Sequence, residues 1–315
     1  MSIAFVFPGQ GSQAVGMGKA LADNFAAARA VFSEVDEALS QHLSRIMWEG
    51  PEADLTLTEN AQPALMAVSM AVVRVLEKEH GITVGGTAAC VAGHSLGEYA
   101  ALAAAGTFSL ADTARLLKIR GKAMQAATPV GTGAMAALLG LDFATAAAAA
   151  AEGAQGEVCQ AANDNSDGQV VISGHKAAVE RAAEIAKAKG AKRAVMLPVS
   201  APFHCALMQP AADAMAEALS AVKMNPPVVP VIANVKAAPL SDPAAIRDSL
   251  VAQVTGTVRW RECVAHMAAQ GVTLFAELGS GKVLTGLAKK NAPNAQAIAI
   301  GTPDDLATAL TLLKG

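Results

Sequence analysis

The residues with the most chemistry to offer are Gly93-His94-Ser95-Leu96-Gly97, a serine with glycine two positions away on each side. A short apolar run over 88–92 leads into it and an alanine-rich stretch follows, so the serine falls between a strand and a helix. In that setting G-x-S-x-G builds a nucleophile elbow. The turn strains the serine backbone and leaves no room for side chains two residues away. It also aims the Leu96 N–H at the oxygen of a reacting carbonyl, with the positive end of the next helix behind it. The plainer alternative is a glycine turn holding a capping serine. His94 leaves the far side of such a turn and reads as structural.

A serine needs a base to become a nucleophile. Of the six histidines, His42 and His80 sit in polar helix ends, His175 follows Gly174 in a turn, and His266 falls within a helix over 261–270. His204 stands in Ser200-Ala201-Pro202-Phe203-His204-Cys205, just past a strand end, where α/β folds gather reactive groups. A third, acidic member is not evident. Asp142, Asp164 and Asp167 lie between serine and histidine, but in what reads as an insertion, so the expectation is a Ser95–His204 dyad oriented by something other than a carboxylate.

Arg120 is the most informative charge. On a helix over 109–125, opened by Ser109 and Asp112, Arg115, Lys118 and Lys122 share one face. Arg120 shares the other with Leu116, Ala123, Met124 and Ala127. An arginine in an apolar stripe keeps its charge and needs a fixed carboxylate, an anionic ligand or a route to water. Its nearness in sequence to the Ser95 helix favours a substrate carboxylate. The loop Pro8-Gly9-Gln10-Gly11-Ser12-Gln13 ends the first strand without a GKS/GKT or G-x-G-x-x-G spacing, and an oxyanion donor opposite Leu96 suits it better than a phosphate cradle.

The elements that must position these groups alternate. Strands are expected over 3–7, 88–92, 227–233 and 272–277, with helices over 19–39, 61–80, 206–220, 242–254 and 261–270, the order of a largely parallel sheet covered on both faces. Between 133 and 199 the order becomes β-α-β-β-α-β, that of a ferredoxin-like unit. The expectation is an α/β-hydrolase-like catalytic domain from 1–130 and 199–315, with a ferredoxin-like insertion subdomain over 131–198 and a ligand cleft between them.

Composition narrows the class. Charged residues are 16% and hydrophobic residues 53% of the 315, which excludes a disordered chain. A net charge of −3 and 3% aromatics leave no general field or stacking platform for nucleic acid. The positive mean hydropathy of +0.36 comes from alanine, and no run is long enough to span a bilayer. The amino terminus has no Lys or Arg before its apolar run, which stops at Pro8, so it reads as a first strand in a cytoplasmic protein. Cys90, Cys159, Cys205 and Cys263 are far apart and without zinc spacing; reduced thiols and no metal are expected.

PGQGSQ, GHSLGEYAAL, LLKIRGKAMQ, NDNSDGQVVISG and SAPFHCALM, in this order along the whole chain, closely resemble the malonyl-CoA:acyl-carrier-protein transacylases of bacterial type II fatty acid synthesis. The resemblance implies a malonyl-serine ester on Ser95, His204 as base and then acid, and Arg120 paired with the malonyl carboxylate. It implies backbone N–H donors of Gln10 and Leu96 for the oxyanion and the main-chain carbonyl of Gln253 orienting His204. Met124, Asn163, Asn165 and Phe203 match cleft-lining positions, and Phe203 matches relatives that prefer malonyl over α-methylated groups. Thr257 stands where many relatives carry proline. Coenzyme A and phosphopantetheine are then substrates and no cofactor is implied.

Acyl carrier proteins are acidic, so a locally basic surface is expected on an enzyme expected to be a monomer. Lys187, Lys189, Lys192 and Arg193, with Lys282, Lys289 and Lys290, are the candidates. The rival readings are a serine thioesterase or esterase, a stand-alone acyltransferase serving a polyketide pathway, and a non-catalytic scaffold. Arg120 and the missing acid argue against the first, and the absence of a ketosynthase or carrier segment points to a discrete enzyme.

Overall fold

A computed structural model describes residues 1–199 and 201–314; Ser200 and Gly315 lie outside the described residues. Six strands form the main sheet: β1 (Ile3–Phe7), β2 (Ala88–Gly93), β7 (Val231–Ala233), β8 (Ala238–Leu240), β9 (Leu274–Leu278) and β10 (Gln296–Ile300). Their order is β10-β9-β1-β2-β7-β8, parallel throughout except for β8 at one edge. In β1 the side chains of Ile3, Phe5 and Phe7 enter one core, while Ala4 and Val6 enter another on the opposite face. That two-sided burial is what parallel sheets require of their strands.

The second sheet holds β3 (Gly133–Leu139), β4 (Cys159–Ser166), β5 (Gln169–His175) and β6 (Arg193–Met196) in the order β4-β5-β3-β6, all antiparallel. Helices Phe143–Ala154 and Lys176–Ala188 cover one face, sealing a separate core around Leu138, Val170 and Ile172. The β-α-β-β-α-β order expected of 131–198 is therefore present as an antiparallel ferredoxin-like sheet. Its other face adds Met135, Ala162 and Val171 to the main core.

Several elements differ from expectation. The helix over 19–39 is two helices, Lys19–Asn24 and Ala26–Leu39, because Phe25 is extended at φ −128° and ψ 123°. Arg29 steadies the break by donating to the carbonyls of Ala22 and Asp23. The strand expected over 227–233 shrinks to Val231–Ala233, since Pro227 and Pro230 have no N–H for a ladder. Likewise β6 stops at Met196, two residues before Pro198. His175 ends β5, where its Nδ1 accepts the Val158 N–H at 3.0 Å, and is not in a turn. Among the described residues no helix is long and apolar enough to cross a membrane, and no three His, Cys, Asp or Glu side chains are gathered as a metal site. All four cysteines are buried free thiols.

Candidate active site

β2 runs into the helix Gly97–Ala104 through a turn in which Ser95 has φ +54°, a left-handed conformation for a residue other than glycine. A Cβ on Gly93 would lie 1.9 Å from the Gly97 carbonyl carbon, and one on Gly97 would lie 2.2 Å from the Phe7 oxygen. Glycine at both places is a steric requirement of the elbow. Four side-chain contacts secure the strained turn. Asn234, at the end of β7, accepts the Ser95 N–H at 2.8 Å and donates to the Gly93 carbonyl at 2.7 Å. Gln253 donates through Nε2 to the Ser95 carbonyl at 3.0 Å and to Glu98 Oε2 at 2.8 Å.

His204 also has a left-handed backbone, φ +59°, and is buried. Its Nδ1 lies 2.8 Å from the Gln253 carbonyl, an acceptor only, so Nδ1 carries the proton. Nε2 is then a free lone pair, 2.8 Å from Ser95 Oγ. A main-chain carbonyl occupies the place that a triad gives to an acid. Burial, and then the charge of Arg120, push the imidazole down to about 3, so it is neutral across the physiological range, with the Nε2 lone pair unprotonated.

Arg120, on the helix Leu110–Ala126, is 1% exposed and reaches the same point. Nη2 donates to Ser95 Oγ at 3.1 Å and to Gln253 Oε1 at 2.9 Å, and Nη1 donates to Gln62 Oε1 at 2.8 Å. Its carbon lies 5.6 Å from the centre of the Tyr99 ring. Among the described residues no carboxylate forms an ion pair with it. The buried Glu98 interacts with Arg120 through space; it is pushed up to about 7 by burial and spends Oε2 on the Asn234 N–H and on Gln253. The groups that Arg120 meets on Gln62 and Gln253 are neutral amides and Glu98 acts on it only through space, so the guanidinium stands beside the serine oxygen with no carboxylate in contact.

Among the described residues the N–H of Leu96 and that of Gln10 have no protein acceptor. Gln10 also extends its side-chain amide to Thr58 at 3.5 Å, and Ser280 holds its loop by donating to the Ser12 carbonyl at 2.7 Å. Met124 and Phe203 are buried, Met124 against the Gln62 amide at 3.7 Å. Asn165 lies 2.8 Å from His94 Nε2 and accepts the Asn291 amide on its main-chain oxygen at 2.8 Å. His94 thus joins the elbow to the smaller sheet. Asn163 bridges to Val258, next to Thr257, whose hydroxyl donates to Ala161 at 2.7 Å. Where proline would offer no donor, Thr257 fastens the segment to β4.

Ser95, His204 and Arg120, singled out by their residue types and spacing, and Gln253, which the family resemblance adds, lie within hydrogen-bond reach of one another. Sequence reasoning misses Gln62, Asn234, Glu98 and the side chain of Gln253. Neutral amides within buried elements carry no periodic or charge signal.

A family model described as an acyl transferase domain matches residues 4–301. The malonyl CoA-acyl carrier protein transacylase of Escherichia coli K12 is 50% identical over 310 residues, covering 98% of this chain and 99% of that one. Among solved structures, the acyl-carrier-protein-S-malonyltransferase of Bartonella henselae is 59% identical with a TM-score of 0.97, covering all of both chains. A malonyl-transacylase in complex with a type II PKS acyl-carrier protein is 44% identical with a TM-score of 0.95, covering 99% of this chain and all of that one. The chain belongs to the acyl transferase domain family, among the malonyl CoA-acyl carrier protein transacylases.

Proposed function

We propose that this chain transfers a malonyl group from malonyl-CoA to the phosphopantetheine thiol of an acyl carrier protein, through a malonyl ester on Ser95. The product would supply fatty acid elongation. One observation carries the reading: a buried guanidinium without an acidic partner lies 3.1 Å from the nucleophilic oxygen. A carboxylate two carbons from the reacting carbonyl would complete that charge and draw the thioester onto Ser95.

In this mechanism Ser95 Oγ attacks the thioester carbon as its proton passes to His204 Nε2. The N–H groups of Gln10 and Leu96 stabilise the oxyanion. Collapse of the tetrahedral intermediate returns the proton to the departing coenzyme A sulfur. The carrier thiol repeats the sequence in reverse, His204 now taking its proton. Gln253 orients the imidazole by its carbonyl. Met124, Asn163, Asn165 and Phe203 are proposed to line the cleft between 131–198 and the domain of 1–130 and 199–315, with Phe203 excluding an α-methyl group. No cofactor enters this reaction; a cytoplasmic monomer is the proposed setting.

The imidazole supplies a pH test. Because its folded pKa is lowered, acylation of Ser95 should not lose rate as pH falls through 6.5, where an ordinary histidine protonates. Bound malonyl would compensate Arg120 and move the imidazole upward, readying it as the acid. Stopped-flow acylation with malonyl-CoA between pH 5 and 8 should be flat, and flat in Glu98→Gln as well. A limb near 6.5 that persists in Glu98→Gln would show an unperturbed base. The lowered pKa also predicts that stability contributed by neutral His204 is present above 6.5 and declines as pH falls toward the folded value.

Carrier recognition is proposed for the basic end of the smaller sheet. Gln169 pairs with Leu139, and Leu139 with Arg193, forming one row across β5, β3 and β6. Lys290 reaches Gln169 at 3.3 Å, so Lys290 and Arg193 flank a row of two strand spacings, about 10 Å. Lys289 precedes Lys290 on the helix Val283–Asn291, whereas Lys189 is paired with Glu152 at 3.0 Å. Reversing Lys289 and Lys290 to Glu should slow transfer to carrier protein roughly tenfold at low salt, with the coenzyme A half-reaction kept. Equal losses in both half-reactions would remove the docking role.

A further inference from the structure

We propose that Gln62 sets the acyl-group preference: it holds Arg120 with a neutral acceptor, so that the guanidinium charge is kept for the substrate's carboxylate. This rests on the malonyl reading above. Gln62 is 1% exposed, near the start of the helix Thr58–His80, which packs on the Arg120 helix. Gly121 permits the approach, since a Cβ there would lie 2.5 Å from the Glu59 Cα. The outer side of this helix pair is joined by ordinary ion pairs, Glu59 to Lys118 at 3.1 Å and to Lys122 at 3.8 Å.

One turn further in, the pairing changes character. Arg120 meets the Gln62 amide oxygen at 2.8 Å and the Gln253 amide oxygen at 2.9 Å. Glutamate has nearly the same shape as glutamine and would normally be the better partner for a buried guanidinium. The amide satisfies the donor without cancelling the charge. Its orientation is fixed, because Nε2 faces Met124 Sδ at 3.7 Å and Oε1 therefore faces Arg120. Gln62 does not reach the serine oxygen in any contact described; it is a positioning residue acting through Arg120.

Gln62→Glu tests charge at constant shape. It would supply from within the carboxylate that malonyl otherwise brings, so malonyl would meet a compensated arginine. At an effective dielectric of about 20 and about 4 Å, the lost attraction corresponds to roughly a hundred- to thousandfold. Gln62→Leu removes the acceptor without adding charge and should keep most of the malonyl preference. Single-turnover labelling of Ser95, read by intact-protein mass spectrometry with malonyl-CoA and acetyl-CoA, measures the ratio for each protein.

The expected result is a wild-type preference for malonyl that falls about a hundredfold in Gln62→Glu, through a raised malonyl KM, while acetyl labelling stays within a few-fold. An unchanged ratio in Gln62→Glu, beside a wild type that prefers malonyl, overturns this inference alone. A wild type that takes acetyl as readily as malonyl overturns the malonyl reading and this inference with it. Should Gln62→Glu fail to fold, Gln62→Asp carries the same charge: a fall in the malonyl-to-acetyl ratio in Gln62→Asp, with the preference kept in Gln62→Leu, supports the charge argument, and an unchanged ratio in Gln62→Asp overturns it.

Discussion

Ser95→Ala is expected to abolish acyl labelling by malonyl-CoA and to lower transfer by at least about ten-thousandfold. The side chain removed is the one that His204 and Arg120 both contact, at 2.8 Å and 3.1 Å. Little else should change. The turn is held by its main chain, through Asn234 on the Ser95 N–H and Gln253 on the Ser95 carbonyl, and alanine keeps both contacts. Thermal unfolding and coenzyme A binding should therefore stay close to wild type, which separates loss of the nucleophile from loss of the fold. Unchanged transfer by Ser95→Ala would show that another group carries the acyl chain.

Arg120→Ala should cost malonyl transfer several kcal/mol, about 3–5, at the transition state. The charge is buried, its two holders are amides, and the substrate carboxylate would enter a low-dielectric site with no partner. Acetyl transfer, which brings no carboxylate, should fall much less. Competition between malonyl-CoA and acetyl-CoA measures the difference directly. Equal losses for both, or none for either, would make the carboxylate role untenable. A second effect accompanies the first: without the Arg120 charge, His204 loses the largest cause after burial that lowers its pKa, so the acid limb of acylation should move upward.

The parts of the site legible in the sequence are those that a local constraint dictates. Glycines at 93 and 97 are forced by atoms 1.9 Å and 2.2 Å from where a Cβ would stand, so the elbow is written into five residues. Arg120 shows as a charge in an apolar stripe, in a chain with few charges. The absent acid shows as a gap, which the Gln253 carbonyl fills. Asn234 is different, because it follows directly after β7, 139 residues from Ser95, and only tertiary packing brings the two together. Glu98 stands in the first turn of its helix, where an acid complements the dipole, yet all eight residues of the helix Gly97–Ala104 are buried.

In the fold, the alternation of strands and helices gives the parallel sheet and the inserted antiparallel one, while boundaries move where proline or a local carbonyl partner intervenes. The helix break at Phe25 depends on Arg29 reaching back to Ala22 and Asp23. No windowed hydrophobic pattern contains that contact. The helix Pro303–Leu313 carries a readable start, the Thr302 and Asp305 capping box. Its partner strand β10 is short and only half-buried over most of its length, so its apolar alternation is weak.

The central claim is that malonyl rests on Ser95 until a thiol removes it. Intact-protein and peptide mass spectrometry after mixing with malonyl-CoA, with and without holo acyl carrier protein, tests this most directly. The predicted result is one added malonyl group on the peptide containing Ser95, persisting in water and discharged to the carrier when it is added. Rapid release of free malonate without an acceptor, or a malonyl group on any other residue, would contradict it.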